Sequence, residues 1–323
     1  MKISVDGGAL YQKNDHRFGT AVFSENLVKA LQFYDKKNQY IVYTFKNLRP
    51  KLLWLKVRVS IEEFINKKPV FLALNQAIPL YTSGKVISFC HGLSYHFFPQ
   101  YYSKKDVLRL NQQLREMIKR SDKIITSSQK VKDELLSVNK LIDKKIIVLP
   151  FGIPLDMLDT VTTLMRPHLS RNRVEKYFLF VGMDHQIKNI NFIKKAFRKF
   201  NNAKEFKNYK LIIVTNNCSR EKLRRLYINA TALLTASYYE SFNFPVLEAL
   251  SQGCPVVGLK SAIIPELETY VNLANNLNEF VENMKSITIK PTERSTLPAG
   301  RQVNRLYKDF NWKNYVKNLV RLY

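Results

Sequence analysis

Two carboxylates, Glu240 and Glu248, stand in the stretch 232–253, Ala-Leu-Leu-Thr-Ala-Ser-Tyr-Tyr-Glu-Ser-Phe-Asn-Phe-Pro-Val-Leu-Glu-Ala-Leu-Ser-Gln-Gly. An apolar strand runs into a short loop, and Pro245 opens a helix where a missing amide hydrogen costs nothing. Gly253 closes that helix and Pro255 prevents its continuation. The spacing puts Glu240 on the loop and Glu248 one turn inside the helix, at the carboxyl end of the strand. Free amides in the first helical turn suit an anion such as a diphosphate. The carboxylates would repel phosphate but accept hydrogen bonds from hydroxyls, and sugar or ribose hydroxyls are the obvious donors. A capped surface helix with two solvated acids is the rival reading, and Phe242, Phe244 and Pro245 between the acids weigh against it.

Other residues could do chemistry at strand ends. Lys188 follows the strand-terminal Phe180-Val-Gly182; alone it would read as a surface lysine, and its place after a strand end raises it to a candidate. His91 ends the apolar strand at 86–90, to work on a ligand or merely to cap the strand. Cys90 beside it suggests a nucleophilic dyad, but no third orienting group accompanies the pair. Gly19 marks a tight approach or simply a turn at positive φ.

The elements that must carry these residues alternate. Strand-like runs at 2–5, 40–45, 70–74, 85–90, 123–127 and 145–149 are separated by helix-like runs at 21–34, 104–120 and 129–138. In the first of these helices Phe23, Leu27, Ala30, Leu31 and Tyr34 share one face. Alternation of this kind implies a parallel sheet covered on both sides. The rhythm breaks at Pro150-Phe-Gly-Ile-Pro154, and 155–175 reads as a linker. A second series begins at 177–181 and continues through 190–200, 211–215, 220–230, 232–236, 245–252 and 255–259. The expected organisation is an α/β chain with one Rossmann-like domain at 1–152 and a second at 153–303. A final helix at 304–323 would cross back to the first domain. Residues 287–303 read as a loop. Ligands of such sheets sit at the carboxyl ends of the strands.

The segment from Glu240 to Glu248 resembles the E-x7-E motif of the retaining glycosyltransferases of family 4, which have the GT-B fold, two doubly wound domains facing a cleft. Gly253-Cys-Pro-Val-Val, Ile264-Pro-Glu266 and Leu226-Tyr227-x-x-Ala230 fit the same family. The resemblance implies that Glu240 binds the donor sugar's hydroxyls and Glu248 the ribose, with Ser241, Phe242, Asn243 and Phe244 around sugar or phosphate. It implies that Gly182 and Lys188 form the phosphate-contacting turn, with Lys188 stabilising the leaving diphosphate and no metal or other cofactor required. Phe18-Gly19-Thr20 resembles the glycine loop of the first domain. Cys90-His91-Gly92-Leu93 resembles the His-Asp-Leu segment whose His faces the reacting sugar, and Phe310-Asn-Trp312 the closing helix. The implied reaction moves a sugar from a nucleoside diphosphate sugar to a glycan or lipid-linked acceptor with retention, as in polysaccharide biosynthesis.

Departures from the pattern are specific. Ser241 and Asn243 replace glycines, Gly92 replaces an Asp, and Met183 stands where an Arg is common. A helix, strand and loop usually found after a strand such as 211–215 are missing, which shortens the second domain. These departures give an alternative: a catalytically impaired relative acting as a binding or partner module.

Composition bounds the setting. The 323 residues carry a net charge of +26, with 26 Lys and Arg against 12 Asp and Glu up to Gly152 and 26 against 14 beyond. Charge spread this evenly argues against a nucleic-acid partner, which calls for a stripe or tail, but could draw the chain to an anionic membrane. A compositional habit of the source genome explains it equally well. No Gly-x-Gly-x-x-Gly follows a strand, so a dinucleotide oxidoreductase is a poor fit. No signal-peptide layout opens the chain and no apolar run spans a bilayer, and Cys90, Cys218 and Cys254 form no metal pattern. The expected place is the cytoplasm, peripheral at the inner face of the cell membrane.

Overall fold

The structure, a computed structural model, describes residues 1–11, 19–48, 53–158, 175–215, 218–289 and 299–323. Phe18, most of the expected linker at 155–175, and the Pro-Thr-Glu-Arg-Ser-Thr-Leu-Pro run at 291–298 lie outside them. Two compact units are present: Met1–Gly152 with Trp312–Tyr323, and Ile153–Asn311.

In the first unit the strands are β1 (Lys2–Asp6), β2 (Gln39–Tyr43), β3 (Val70–Ala73), β4 (Lys85–Cys90), β5 (Lys123–Thr126) and β6 (Ile146–Val148). The helices are α1 (Gly19–Tyr34), α2 (Val59–Ile65), α3 (Ser94–Phe97), α4 (Lys104–Arg120) and α5 (Gln129–Val138). All strand pairs are parallel, in the order β2-β1-β3-β4-β5-β6. The chain winds outward from β1 to β2 and then returns to β3, so the switch point lies between β1 and β3. Near-continuous apolar strands such as β3, buried at every position, are what a sheet covered on both faces requires.

The second unit contributes β7 (Lys176–Val181), α6 (Ile190–Asn201), β8 (Tyr209–Val214), α7 (Arg220–Asn229), β9 (Ala232–Thr235), α8 (Phe244–Ser251), β10 (Val256–Leu259), β11 (Asn272–Ala274), α9 (Leu277–Ile289) and α10 (Ala299–Asp309). Its sheet is also parallel, in the order β11-β10-β9-β7-β8, with the switch point between β7 and β9. Among the described residues it has five strands, and β8 leads through a short connection to α7, as the shortened sequence requires. Phe178, Phe180, Phe200 and Phe280 are fully enclosed in its core.

Two expectations about the end of the chain are corrected. Residues 287–289 close α9 and 299–303 open α10, so both ends of the expected loop are helical, and 290–298 lie outside the described residues. The segment 304–323 is two helices, because the chain breaks at Phe310-Asn311 before α11 (Trp312–Val320). Phe310 is buried with Phe242 in the second unit, whereas Trp312 and Tyr315 pack on Phe23 of α1 in the first. One helix could not give both rings those partners. Gly152 allows the seat of Trp312: a Cβ there would meet the indole at 2.5 Å.

Candidate functional site

The switch point of the second sheet gathers the sequence-predicted residues of that unit. Strand β7 ends at Val181 and hands the chain to Gly182; β9 ends at Thr235 and leads through Ser237 and Glu240 to α8. Adjacent carboxyl ends of neighbouring strands therefore bring together residues far apart in sequence. Lys188 Nζ lies 2.6 Å from Glu240 Oε1, and Ser237 Oγ donates to the same oxygen at 2.7 Å. Both charged side chains are largely enclosed, 18% and 11% exposed, which strengthens their attraction over that of a surface pair. Met183, standing where an Arg is common, thus does not leave Lys188 alone. A turn of 3-10 helix at Gln186–Lys188, begun when His185 Nδ1 accepts from the Ile187 amide, lifts Lys188 into place. Gly182 lies against the Lys188 stem, 3.7 Å from where its Cβ would be.

The loop into α8 explains one departure from the resembled pattern. Asn243 is in the left-handed region at φ 68°, a conformation that Gly reaches freely and Asn better than most residues. Its side chain adds what Gly lacks: Oδ1 accepts from the Val246 amide, and Nδ2 donates to Ala262 O at 3.0 Å and Thr235 Oγ1 at 3.3 Å. The rings of Phe242 and Phe244 are buried, 2% and 8% exposed, with centroids 5.3 Å apart. They anchor the loop, and only their backbone is left to meet a ligand. Ser241 lies half-buried between them and Glu240.

Glu248 lies deeper than Glu240. It is 3% exposed, and both its oxygens have donors: Arg220 Nη2 on Oε1 at 2.8 Å and the Tyr227 hydroxyl on Oε2 at 3.0 Å. Burial raises its pKa above the usual carboxylate range, with the Arg220 charge opposing. Arg220 also forks onto Asp156 through Nε at 2.7 Å and Nη2 at 2.9 Å. Sequence reasoning missed Arg220 and Asp156. The Leu226-Tyr227 likeness carried Tyr227, but without its role.

In the first unit, His91 follows β4 and donates through Nε2 to Leu74 O at 2.6 Å, past the end of the neighbouring β3. That fixes the tautomer and leaves Nδ1 as an acceptor. The rings of Phe23 and Phe151 enclose it, and this burial pushes its pKa down to about 4, so the imidazole is neutral. The next residue, Gly92, sits at φ 115°, where an Asp would be strained. Cys90 is a buried free thiol pushed up to about 12 by desolvation, which removes the nucleophilic dyad. Gly19 is the exposed first residue of α1, so it belongs to a helix and not to a turn. At the switch point of this sheet stands a residue the sequence did not reveal. Asp6, 2% exposed, accepts from the Gly8 amide at 2.9 Å, and burial raises its pKa. Among the described residues no helix is long and apolar enough to cross a membrane.

Two parallel, doubly wound α/β units of this kind define the GT-B fold. Sucrose-phosphate synthase from Thermosynechococcus elongatus superposes on the chain with a TM-score of 0.70 at 16% identity, over 100% of this chain and 98% of that one. Anabaena HepE, solved in complex with UDP and glucose, gives 0.65 at 13% identity, over 100% and 99%. In sequence, the family described as Glycosyltransferase Family 4 matches residues 26–157, and that described as Glycosyl transferases group 1 matches residues 203–272. The two matches, one in each unit, together with these structural neighbours support a glycosyltransferase of the family 4 type. The chain is similar to the O-antigen chain mannosyltransferase RfbU of Salmonella typhimurium, 26% identical over 248 residues that make up 68% of this chain. The chain spans 64% of that relative's length.

Proposed function

We propose that this chain transfers a hexose from a nucleoside diphosphate sugar to a glycan or lipid-linked acceptor, with retention of configuration. The observation that carries the reading is the Lys188–Glu240 pair at the carboxyl edge of β7 and β9, at a switch point, where ligands of such sheets bind. A diphosphate arriving there would draw Lys188 away from Glu240. The ammonium would then stabilise negative charge on the leaving diphosphate, while the freed carboxylate accepts hydrogen bonds from the sugar's hydroxyls. The backbone of Gly182 and Ser241–Phe244 would supply further contacts, so that no metal or other cofactor is needed. Glu248 is the proposed acceptor for the ribose hydroxyls. His91, neutral and with Nδ1 as an acceptor, suits a substrate hydroxyl, and Gly19 lies on the same unit. The bound UDP of HepE and the O-antigen role in the name of the Salmonella relative support a nucleotide-sugar donor and a polysaccharide product. A net charge of +26 supports cytoplasmic work against an anionic membrane face.

A second reading, a binding module without turnover, is favoured by one observation: the carboxylate expected to hold the ribose already has a donor on each oxygen. Proton NMR of donor consumption, with water as acceptor, decides between them. Transfer with retention predicts that the first-formed free sugar has the donor's anomeric configuration. The inverted anomer would refute retention, and donor binding without any release would establish the module.

A further inference from the structure

Glu248, Arg220 and Asp156 form a chain of charges reaching from inside α8 to the turn at Leu155–Met157. Arg220 Nε and Nη2 grip the two oxygens of Asp156, and the same Nη2 reaches Glu248 Oε1. The turn is itself pinned, because Gln252 at the end of α8 donates to Met157 O at 2.8 Å. The Arg220 guanidinium is therefore clamped rather than free to swing, and the plane of Glu248 is set from one side by Arg220 and from the other by Tyr227. A carboxylate oxygen has two lone-pair positions. With one donor on each oxygen, Glu248 keeps one acceptor position per oxygen, which is the number that the two neighbouring hydroxyls of a ribose can fill.

We propose that Arg220, clamped by Asp156, is the positioning residue for Glu248: it holds the carboxylate ionised and oriented so that its two remaining lone pairs accept the 2′- and 3′-hydroxyls of the nucleotide. The inference rests on the donor-site reading above and adds to it the group through which Glu248 acts. At 3% exposure, a carboxylate without a cation takes up a proton more readily, and a protonated Glu248 turns one acceptor into a donor. The groups facing it are Arg220 and Tyr227 on α7 and Asp156 on the turn, with Cys254 beyond α8 acting on Tyr227. Of these, only Arg220 favours the charged form by its own charge. A lysine would supply the charge but not the fork that engages Asp156 and Glu248 together.

The test is calorimetric titration of the whole chain and its R220Q, R220K, D156N and E248Q variants with UDP, GDP and ADP and their 2′-deoxy counterparts. The unaltered chain binds at least one ribonucleotide, prefers it to the deoxy form, and varies little in affinity from about pH 6 to about pH 9. R220Q binds about tenfold or more weakly near pH 6, recovers part of the loss near pH 9 as Glu248 ionises, and no longer distinguishes ribose from deoxyribose. D156N, altered at a partly exposed side chain, shows a smaller loss with the same pH dependence, and decides the matter if R220Q does not fold. R220K falls between R220Q and the unaltered chain. The inference is overturned if R220Q and D156N keep the affinity and the ribose preference while E248Q loses them, an outcome that leaves the donor site standing. A uniform loss without the pH or ribose signature also overturns it, by reducing Arg220 to a structural brace. If the unaltered chain binds no diphosphate, the donor-site reading fails and takes the inference with it.

Discussion

Lys188 Nζ and Glu240 Oε1 lie 2.6 Å apart although 52 residues separate them in sequence. The contact follows from topology: β7 and β9 are adjacent and parallel, so the loops after them share one edge of the sheet. Each group neutralises the other, and on the proposed reading the pair is the resting form of a site for a diphosphate and a polyol.

The two halves of the pair should fail differently. Lys188→Gln removes the cation facing the leaving group and lowers kcat/KM about 10²–10³-fold, the range for loss of one charge-stabilising group. Glu240→Gln keeps the shape and weakens hydrogen bonds to sugar hydroxyls, a loss of about 10–10²-fold. Steady-state kinetics with the cognate donor measure both, and equal losses would mean that the two act only as a structural ion pair.

Asn243 gives a stability test. Asn243→Gly keeps φ 68° without strain but loses the cap and the bonds to Ala262 O and Thr235 Oγ1. Asn243→Ala loses the same bonds and adds about 1 kcal/mol or more for a side chain forced into the left-handed region. Chemical denaturation should therefore rank Ala below Gly, the order that the N-cap position also favours.

Gly152→Ala drives a methyl group into the Trp312 indole, which lies within 2.7 Å of that position at three atoms. Overpacking of this kind costs about 1–3 kcal/mol. In a Trp54→Phe background, Trp312 emission should shift to the red as α11 loosens from α1. An unshifted spectrum would mean that the helix accommodates the methyl in place.

His91 sets a pH dependence. Its folded-state pKa of about 4 lies below its ordinary value of 6.5, so between those limits the unfolded chain binds a proton that the folded chain does not. Stability contributed at His91 is thus complete above about pH 6.5 and declines as the pH falls toward 4. Melting temperatures of the chain and of His91→Gln, followed over that range, should converge as the pH is lowered.

Much of the architecture was legible because the strands are short apolar runs with turn residues between them. The bounds of β4, α4 and α5 in particular coincide with their apolar and amphipathic patterns. The break at Phe310-Asn311 was not legible, since Tyr307, Phe310, Trp312 and Tyr315 suit one amphipathic face; only the separate packing of Phe310 and Trp312 divides it. Within the site, local spacing placed Glu240 and Lys188 at neighbouring strand ends. It did not show that the Phe242 and Phe244 rings are buried, because aromatic rings beside a ligand loop and aromatic rings under it look alike in sequence. The environment of Glu248 was invisible for a different reason. Its partners Arg220 and Tyr227 belong to α7, 28 and 21 residues earlier, and only the packing of α7 on α8 makes them its neighbours.

The central claim is a nucleotide-sugar site at the β7–β9 switch point, and thermal-shift titration with UDP-, GDP-, ADP- and dTDP-sugars addresses it most directly. At least one donor should raise the melting temperature of the unaltered chain, and the shift should shrink sharply in Lys188→Gln and in Glu240→Gln. No shift with any donor, or a full shift retained in both variants, would contradict it.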